Sequence, residues 1–396
     1  MTVPITGNLT ETQRFPAPLS GWGRMAGGPG RQTAPDIRQS KAAGAGYAEE
    51  ETCPPKGAAL PGCLRTSTSL TRTTGRPEKK CIEYSPHMEQ QHGLLVVDKP
   101  RGLSSAQCTN RFKRLGQKKI GHAGTLDPMA QGVLLVLLGH ATKISGYLMA
   151  GGVKAYQGTV RLGQTTDTWD ADGQITAEAP WDHVTAEAVA DVIAGWVGTS
   201  EQPVPPYSAA KHQGQPLYKL SREGKETPLK IKTIEISRAE VLRVELPYVT
   251  FRVICSSGTY IRSLAHSLGT RLGCGAVLTE LIREYSHPFG LDRACPLDTL
   301  LAEPETLPER VIPVTAALPH WPTITVTGQE EADTKNGKIL VWTEARRARS
   351  RAQDGTDIPC VPGANAVLLS PDGQPLALAE AVSGGPAWKV LRGLWN

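Results

Sequence analysis

Residues Gly121–Leu134 read GHAGTLDPMAQGVL and place one carboxylate, Asp127, between a β-prone approach (Gly124-Thr125-Leu126) and a proline. Pro128 fixes its own φ and pushes Asp127 out of the right-handed helical region, towards an extended or turn conformation. Gly121, Gly124 and Gly132 permit positive φ or a close backbone approach on either side. A carboxylate pinned on a stiff turn, with room around it, can act as a nucleophile or a base. Asp-Pro also opens helices, as N-cap plus first helical residue, so the fragment alone leaves both roles standing.

A second charge belongs to a different element. In CSSGTYIRSLAHSLG, a helix is predicted over Ser257–Leu272, and Arg262 sits just inside it, just past the SGTY turn in which the helix starts. There the helix dipole disfavours a cation by typically ~0.3–1 kcal/mol. A placement against that preference calls for a negative partner, either Asp127 or a phosphate. An Asp–Arg pair would keep the carboxylate ionised and fix its direction. Further cations and aromatics interleave from Tyr207 to Lys225: Tyr207, Lys211, His212, Tyr218, Lys219, Arg222 and Lys225. That mixture suits a folded single-stranded loop of RNA, although a solvated charged helix has the same composition.

GHAGTLDPMAQGVL resembles the GHxGTLDPxAxGVL signature of TruB-type pseudouridine synthases. Four further segments match that family in the expected order. They are LLVVDKPRGLSS (Leu94–Ser105), KAYQGTVRLGQTTDTWDADG (Lys154–Gly173), YSAAKHQGQPLY (Tyr207–Tyr218) and CSSGTYIRSLAHSLG (Cys255–Gly269). The resemblance implies an isomerase that turns uridine into pseudouridine in the T-loop of tRNA, position 55 in standard tRNA numbering. The N1–C1′ bond breaks, the base rotates, and it rejoins through C5. Asp127 would be the catalytic carboxylate; attack on C1′, attack on C6 and removal of a sugar proton all stay open.

The same resemblance assigns the remaining site residues. Arg262 pairs with Asp127, and Tyr156 of the KAY step stacks on the target base and is a candidate for the final proton transfer. Stacking on a base is typically worth ~1–3 kcal/mol, yet an aromatic on a strand face is otherwise packing. Asp167 is similar to a family aspartate that hydrogen-bonds near the flipped base, while Asp170 and Asp172 shape the turn. Leu281 and Arg283 match a late L-x-R step in which the leucine packs beneath the base. Glu284 departs from the small or apolar residue usual there, which weakens the assignment of Arg283. His122 would occupy the cavity that the extruded base vacates, offsetting part of the cost of flipping. With Tyr207, Lys211 and Tyr218, these residues make up the expected RNA-binding set. Lys99 of VDKPRG either supports the catalytic loop or touches RNA. No metal or cofactor is implied, and the expected partner is the T-arm stem-loop of tRNA. No membrane and no obligatory protein partner are expected, and the protein is read as a cytoplasmic monomer.

Three rival readings are weaker. Synthases of the RluA and RsuA type carry a GRLDxxTSGLL-like loop, unlike GTLDPMAQGVL. A guide-RNA-dependent relative is disfavoured by the bacterial-style LGQTTDTWDADG. A non-catalytic RNA chaperone would not need Asp127, Tyr156 and Arg262 together.

These residues must be positioned by a sizeable scaffold, and 396 residues suffice for two domains or more. Aromatics at 5% with 41 glycines and 31 prolines require extensive irregular segments. No apolar run approaches a membrane span, and the N-terminus lacks an apolar signal core. Eight cysteines show no CxxC spacing, so thiols in a reducing compartment are expected. A net charge of +5 is compatible with an acidic partner.

Residues 1–87 have no sustained apolar period and read as a disordered or mis-assigned extension, with Met88 where a TruB-like chain would begin. Residues 88–310 are expected to form an α+β catalytic domain on a large mixed, mostly antiparallel sheet. Within it, Val133–Leu138 suits a buried strand, and Lys154–Leu162 alternates as a strand with one exposed face. Thr185–Val197 places Val189, Val192, Ile193, Trp196 and Val197 on one helical face. Residues 313–396 carry short strand patterns and resemble a small β-rich PUA-like RNA-binding domain.

Overall fold

The computed structural model describes residues 89–395 apart from 151, 209, 224–229, 352–354, 356 and 359. The expectation for residues 1–87 therefore lies outside the described residues. From Gly93 onwards the chain builds one large sheet around Asp127. Its first strands are β1 (Gly93–Lys99), β2 (Ile120–Ala123), β3 (Gln131–Leu138) and β4 (Lys154–Leu162). A small hairpin follows, β5 (Gln164–Thr166) and β6 (Ile175–Glu178), then β7 (Gly198–Pro203). A second small hairpin comprises β8 (Lys211–His212) and β9 (Gln215–Pro216). The long strands β10 (Ile231–Glu245), β11 (Tyr248–Cys255) and β12 (Ala276–Ser286) complete the centre, with β13 (Phe289–Gly290) and β14 (Cys295–Pro296) at its margins.

The order across this ten-stranded sheet is β14-β1-β3-β12-β4-β11-β10-β7, with β2 paired to β3 and β13 to β12. Only the β1–β14 and β3–β12 pairs are parallel, so the sheet is mixed and mostly antiparallel. At β3–β12, a Cβ on Gly132 would lie 2.3 Å from the Arg283 carbonyl oxygen. Gly132 also has φ +96°, so both the crossing and the backbone demand glycine.

β3 has no polar face because both of its faces are covered. Leu134, Val136 and Leu138 join the core shared with the helices, while Val133, Leu135 and Leu137 join a second core behind the sheet. Alternation of side chains across a strand makes this division automatic. The second core includes Val314, Val367, Leu378 and Leu394, so the C-terminal region closes the back of the catalytic sheet. That region forms a six-stranded sheet over Thr323–Thr325, Leu340–Val341, Ser350–Arg351, Asn365–Leu369, Pro375–Ala381 and Ala387–Gly393.

α1 (Ser105–Lys113) packs on the catalytic side, the short α2 (Ser145–Met149) buries Leu148 in the second core, and α3 (Ala186–Ala194) packs again on the catalytic side. They are followed by α4 (Leu217–Arg222) and α5 (Ile261–Arg271). In α3, Val189, Ile193 and the following Trp196 are buried as the periodicity predicts, but Val197 is 52% exposed. The helix caps at Gly195 and the chain turns into β7, so Val197 never joins the helical face. α5 starts four residues later than the pattern implied, because Gly258 (φ +90°) holds 257–260 as a turn. Among the described residues, no helix is long and apolar enough to cross a membrane.

Candidate active site

Asp127 sits in the loop of the β2–β3 hairpin, and no helix follows Pro128. The Asp127 carbonyl accepts from the Ala130 amide at 3.1 Å, closing a turn with proline in its second position. The helix-start role of Asp-Pro is thereby excluded. Most backbone carbonyls of this loop are hydrogen-bonded within the protein. Ser105 Oγ accepts from the Leu126 amide at 2.8 Å and donates to the Leu126 carbonyl at 3.0 Å. Lys99 is fully enclosed and donates to the carbonyls of Pro128 (3.3 Å) and Ala130 (2.5 Å). The Gly102 amide also donates to Pro128 at 2.8 Å. Lys99 thus supports the catalytic loop, and burial lowers its pKa to about 8.

Arg283 completes the clamp from β12. It is 0% exposed, with Nε donating to the Val133 carbonyl at 2.7 Å and Nη2 to the Gly124 carbonyl at 2.8 Å. The expectation that Arg283 binds RNA is corrected: its guanidinium is spent inside the protein on the loop backbone. The Glu284 departure does not disturb this. Glu284 points to the other face, where Arg252 donates to it through Nε and Nη2, each at 2.8 Å.

Arg262 reaches Asp127 from the N-terminal turn of α5. Nη2 donates to Oδ1 at 3.1 Å, and Nε lies 3.0 Å from Oδ2. The Arg262 side chain is 4% exposed and that of Asp127 is 33% exposed. The carboxylate is therefore the reachable member, and the guanidinium acts from behind it. Nη1 donates to the Thr168 carbonyl (3.0 Å) and Nη2 to that of Tyr207 (2.9 Å). Asp170 Oδ2 stands 3.5 Å from Nη1. Two partners from β7 hold the start of α5. Gln202 bonds both polar backbone groups of the N-cap Tyr260, and Ser263 donates to the Pro203 carbonyl. The dipole argument thus finds its negative partner in Asp127.

Two cavities flank the Asp127–Arg262 pair. One, of about 490 Å³, is lined by Tyr156, Leu281, Lys154, Lys232 and the turn before α5. Tyr156 is 6% exposed, and burial raises its phenol pKa while the Arg283 guanidinium opposes the rise. The other, of about 450 Å³, is walled by Asp167, Asp170, Asp172 and Tyr207.

The acidic turn between β5 and β6 is shaped by two of its aspartates. Asp167 accepts from the Gln174 amide at 2.8 Å. Asp170 shapes the turn as its position suggests, Oδ1 accepting from Thr168 Oγ1 at 2.6 Å and from the Asp172 amide at 3.2 Å, and it also faces Arg262, at 5% exposed. Burial raises its pKa, against Thr168 and Arg262. Trp169 anchors the turn by stacking on His266 of α5, with centroids 4.4 Å apart.

His122 lines neither cavity; it stands on β2 opposite Val136, its Nδ1 buried with no hydrogen-bond partner among the described residues. Burial, then Arg283, lowers its pKa. Lys211 and Tyr218 fall in β8 and α4, but their side chains lie outside the described residues. Ser105, Gln202, Asp170 and Lys154 carry no single-residue signal apart from the motifs that contain them. They become visible only when the sheet brings distant strands together.

The family model described as TruB family pseudouridylate synthase (N terminal domain) matches residues 113–261. A protein of Nitratidesulfovibrio vulgaris named tRNA pseudouridine synthase B is 65% identical over 309 residues, covering 78% of this chain and 98% of its own length. One of the same name from Oleidesulfovibrio alaskensis is 63% identical, with the same coverage of both chains. Among solved structures, a Cbf5–Nop10–Gar1 complex aligns at a TM-score of 0.57 and 25% identity, over 77% of this chain and 85% of the other. Relatives this similar along nearly their whole length, together with a carboxylate held on the stiff turn that its motif predicts, place the chain in the TruB family of pseudouridylate synthases.

Proposed function

We propose that this protein isomerises uridine to pseudouridine in tRNA, with the T-loop uridine at position 55 as its target. The observation that carries the reading is the Asp127–Arg262 pair. A carboxylate is fixed in direction by a buried guanidinium while its open side faces a cavity. An ionised carboxylate so held can attack C1′, attack C6, or take a sugar proton; each requires a base extruded from its stack. Tyr156 and Leu281 wall that cavity and would hold the flipped base between an aromatic and an aliphatic surface. Relatives at 63–65% identity carry the name tRNA pseudouridine synthase B, which favours an enzyme that selects tRNA itself over a guide-RNA-dependent one. Residues 313–395 would act as a PUA-like second contact for the tRNA. Because they share a core with β1 and β3, that contact would sit in fixed register with Asp127.

The test is incubation of the full chain with a T-arm stem-loop, followed by mapping of pseudouridine. Product is expected at the T-loop uridine, and none with Asp127→Asn. Folded protein that leaves the stem-loop and whole tRNA unmodified would overturn the reading.

A further inference from the structure

The two cavities beside Asp127 carry opposite charge. Asp167, Asp170 and Asp172 wall one, whereas Lys154 and Lys232 wall the other. Lys154 lies two residues before Tyr156 on β4, so the two side chains share one face of the strand. Its ammonium is near the Arg283 guanidinium and Lys232. Burial first, then these neighbouring cations, lowers its pKa to about 8. Among the described residues it makes no hydrogen bond and no ion pair. Arg283 cannot be relieved either, since its donors are committed to the loop carbonyls.

Lys232 approaches from β10. A Cβ on Gly258 would lie 1.7 Å from Lys232 Nζ, so this ammonium rests on the turn that leads into α5. Lys232 itself is exposed, but Lys154 is half-buried beside Arg283, and a half-buried cation with no ion pair among the described residues is costly until an anion arrives. RNA brings such an anion on each side of every nucleoside. The acidic cavity repels it, so the backbone of a bound strand is directed to the lysine side.

We infer that Lys154 and Lys232 form the phosphate-binding end of the active site and grip a phosphodiester next to the target uridine while its base reaches Asp127. Lys154 is a positioning residue here, not a proton carrier. The inference rests on the pseudouridine synthase reading.

The test uses T-arm stem-loops with a single neutral methylphosphonate on the 5′ or the 3′ side of the target uridine. They are assayed with the full-length wild type, Lys154→Gln, Lys154→Arg and Lys232→Gln. With wild type, neutralising one of the two phosphates should weaken kcat/KM about ten- to a hundredfold, mainly through KM. Lys154→Gln should show a comparable loss on native RNA, and the same methylphosphonate should then add less than about twofold. Lys154→Arg should retain most activity and the same one-sided sensitivity, which keeps the test valid if the glutamine variant folds poorly. Losses that multiply in Lys154→Gln, or a loss confined to kcat and blind to both methylphosphonates, would overturn the inference. Wild type that leaves native RNA unmodified would instead overturn the functional reading beneath it.

Discussion

The Arg283 guanidinium donates to the Gly124 carbonyl across 2.8 Å of protein closed to solvent, tying β12 to the loop that bears Asp127. Among the described residues no carboxylate shares this arginine; it donates to the backbone carbonyls of Gly124, Thr125 and Val133 and also meets the Tyr156 phenol. Removing it would strand buried acceptors, each worth about 1–3 kcal/mol. Arg283→Met should therefore lower the melting temperature and kcat together while RNA affinity changes little. A variant that lost affinity but kept kcat and stability would return Arg283 to the RNA interface.

Asp127→Asn should behave in the opposite way. Arg262 keeps the Thr168 and Tyr207 carbonyls and Asp170 when the Asp127 charge is removed. The fold should lose no more than about 1 kcal/mol, a shift of roughly 2–4 °C for a domain of this size. Pseudouridine formation should fall to background. Even a few per cent of the wild-type rate would show that the carboxylate is not the reacting group.

Arg262→Lys retains a cation but cannot span both carboxylate oxygens and two carbonyls at once. Burial of Arg262 rules out much direct contact with RNA, so affinity should hold while the single-turnover rate falls by orders of magnitude. The measurement is that rate against Kd from filter binding. Loss of affinity alone would make Arg262 a phosphate ligand.

The contrast between Arg262 and Arg283 shows what was legible in the sequence. Arg262 lies in the first turn of a helix, where a cation is locally disfavoured, and that conflict pointed to an acidic partner before any contact was known. Arg283 lies on a strand, where local rules place no demand on charge. Its role depends on the parallel crossing of β12 against Gly132, which joins residues about 150 positions apart. Asp170 shows a related limit. Turn chemistry accounts for its Oδ1, which accepts within the turn, but its contact with Arg262 depends on packing between distant segments. Strands and helices with strong periodicity were placed well. Val197 was misplaced because a cap ends the helix before the apolar pattern does.

A last prediction concerns acid. His92 and His140 stack with centroids 4.0 Å apart, and the His140 amide donates to His92 Nδ1 at 3.2 Å. Protonation at that nitrogen would break the bond. Burial lowers both pKa values: at His92 it works against Glu89, and at His140 it is joined by His92, Lys143 and Lys119, which bring that pKa to about 4. Beside the pair, Lys143 donates to the carbonyls of Gly393 and Trp395, fastening the end of the C-terminal sheet. The folded state thus binds fewer protons than the unfolded chain between about pH 6.5 and the lowered values. Stability is present above that window and is lost as pH falls through it. Carboxylates titrate at the same end, so the informative quantity is a difference. Between pH 7 and about 4.5, the melting temperature of His140→Asn should fall less than that of wild type, because asparagine adds no proton in that range. Equal falls for the two proteins would mean that the histidine pair does not set the acid limit of the fold.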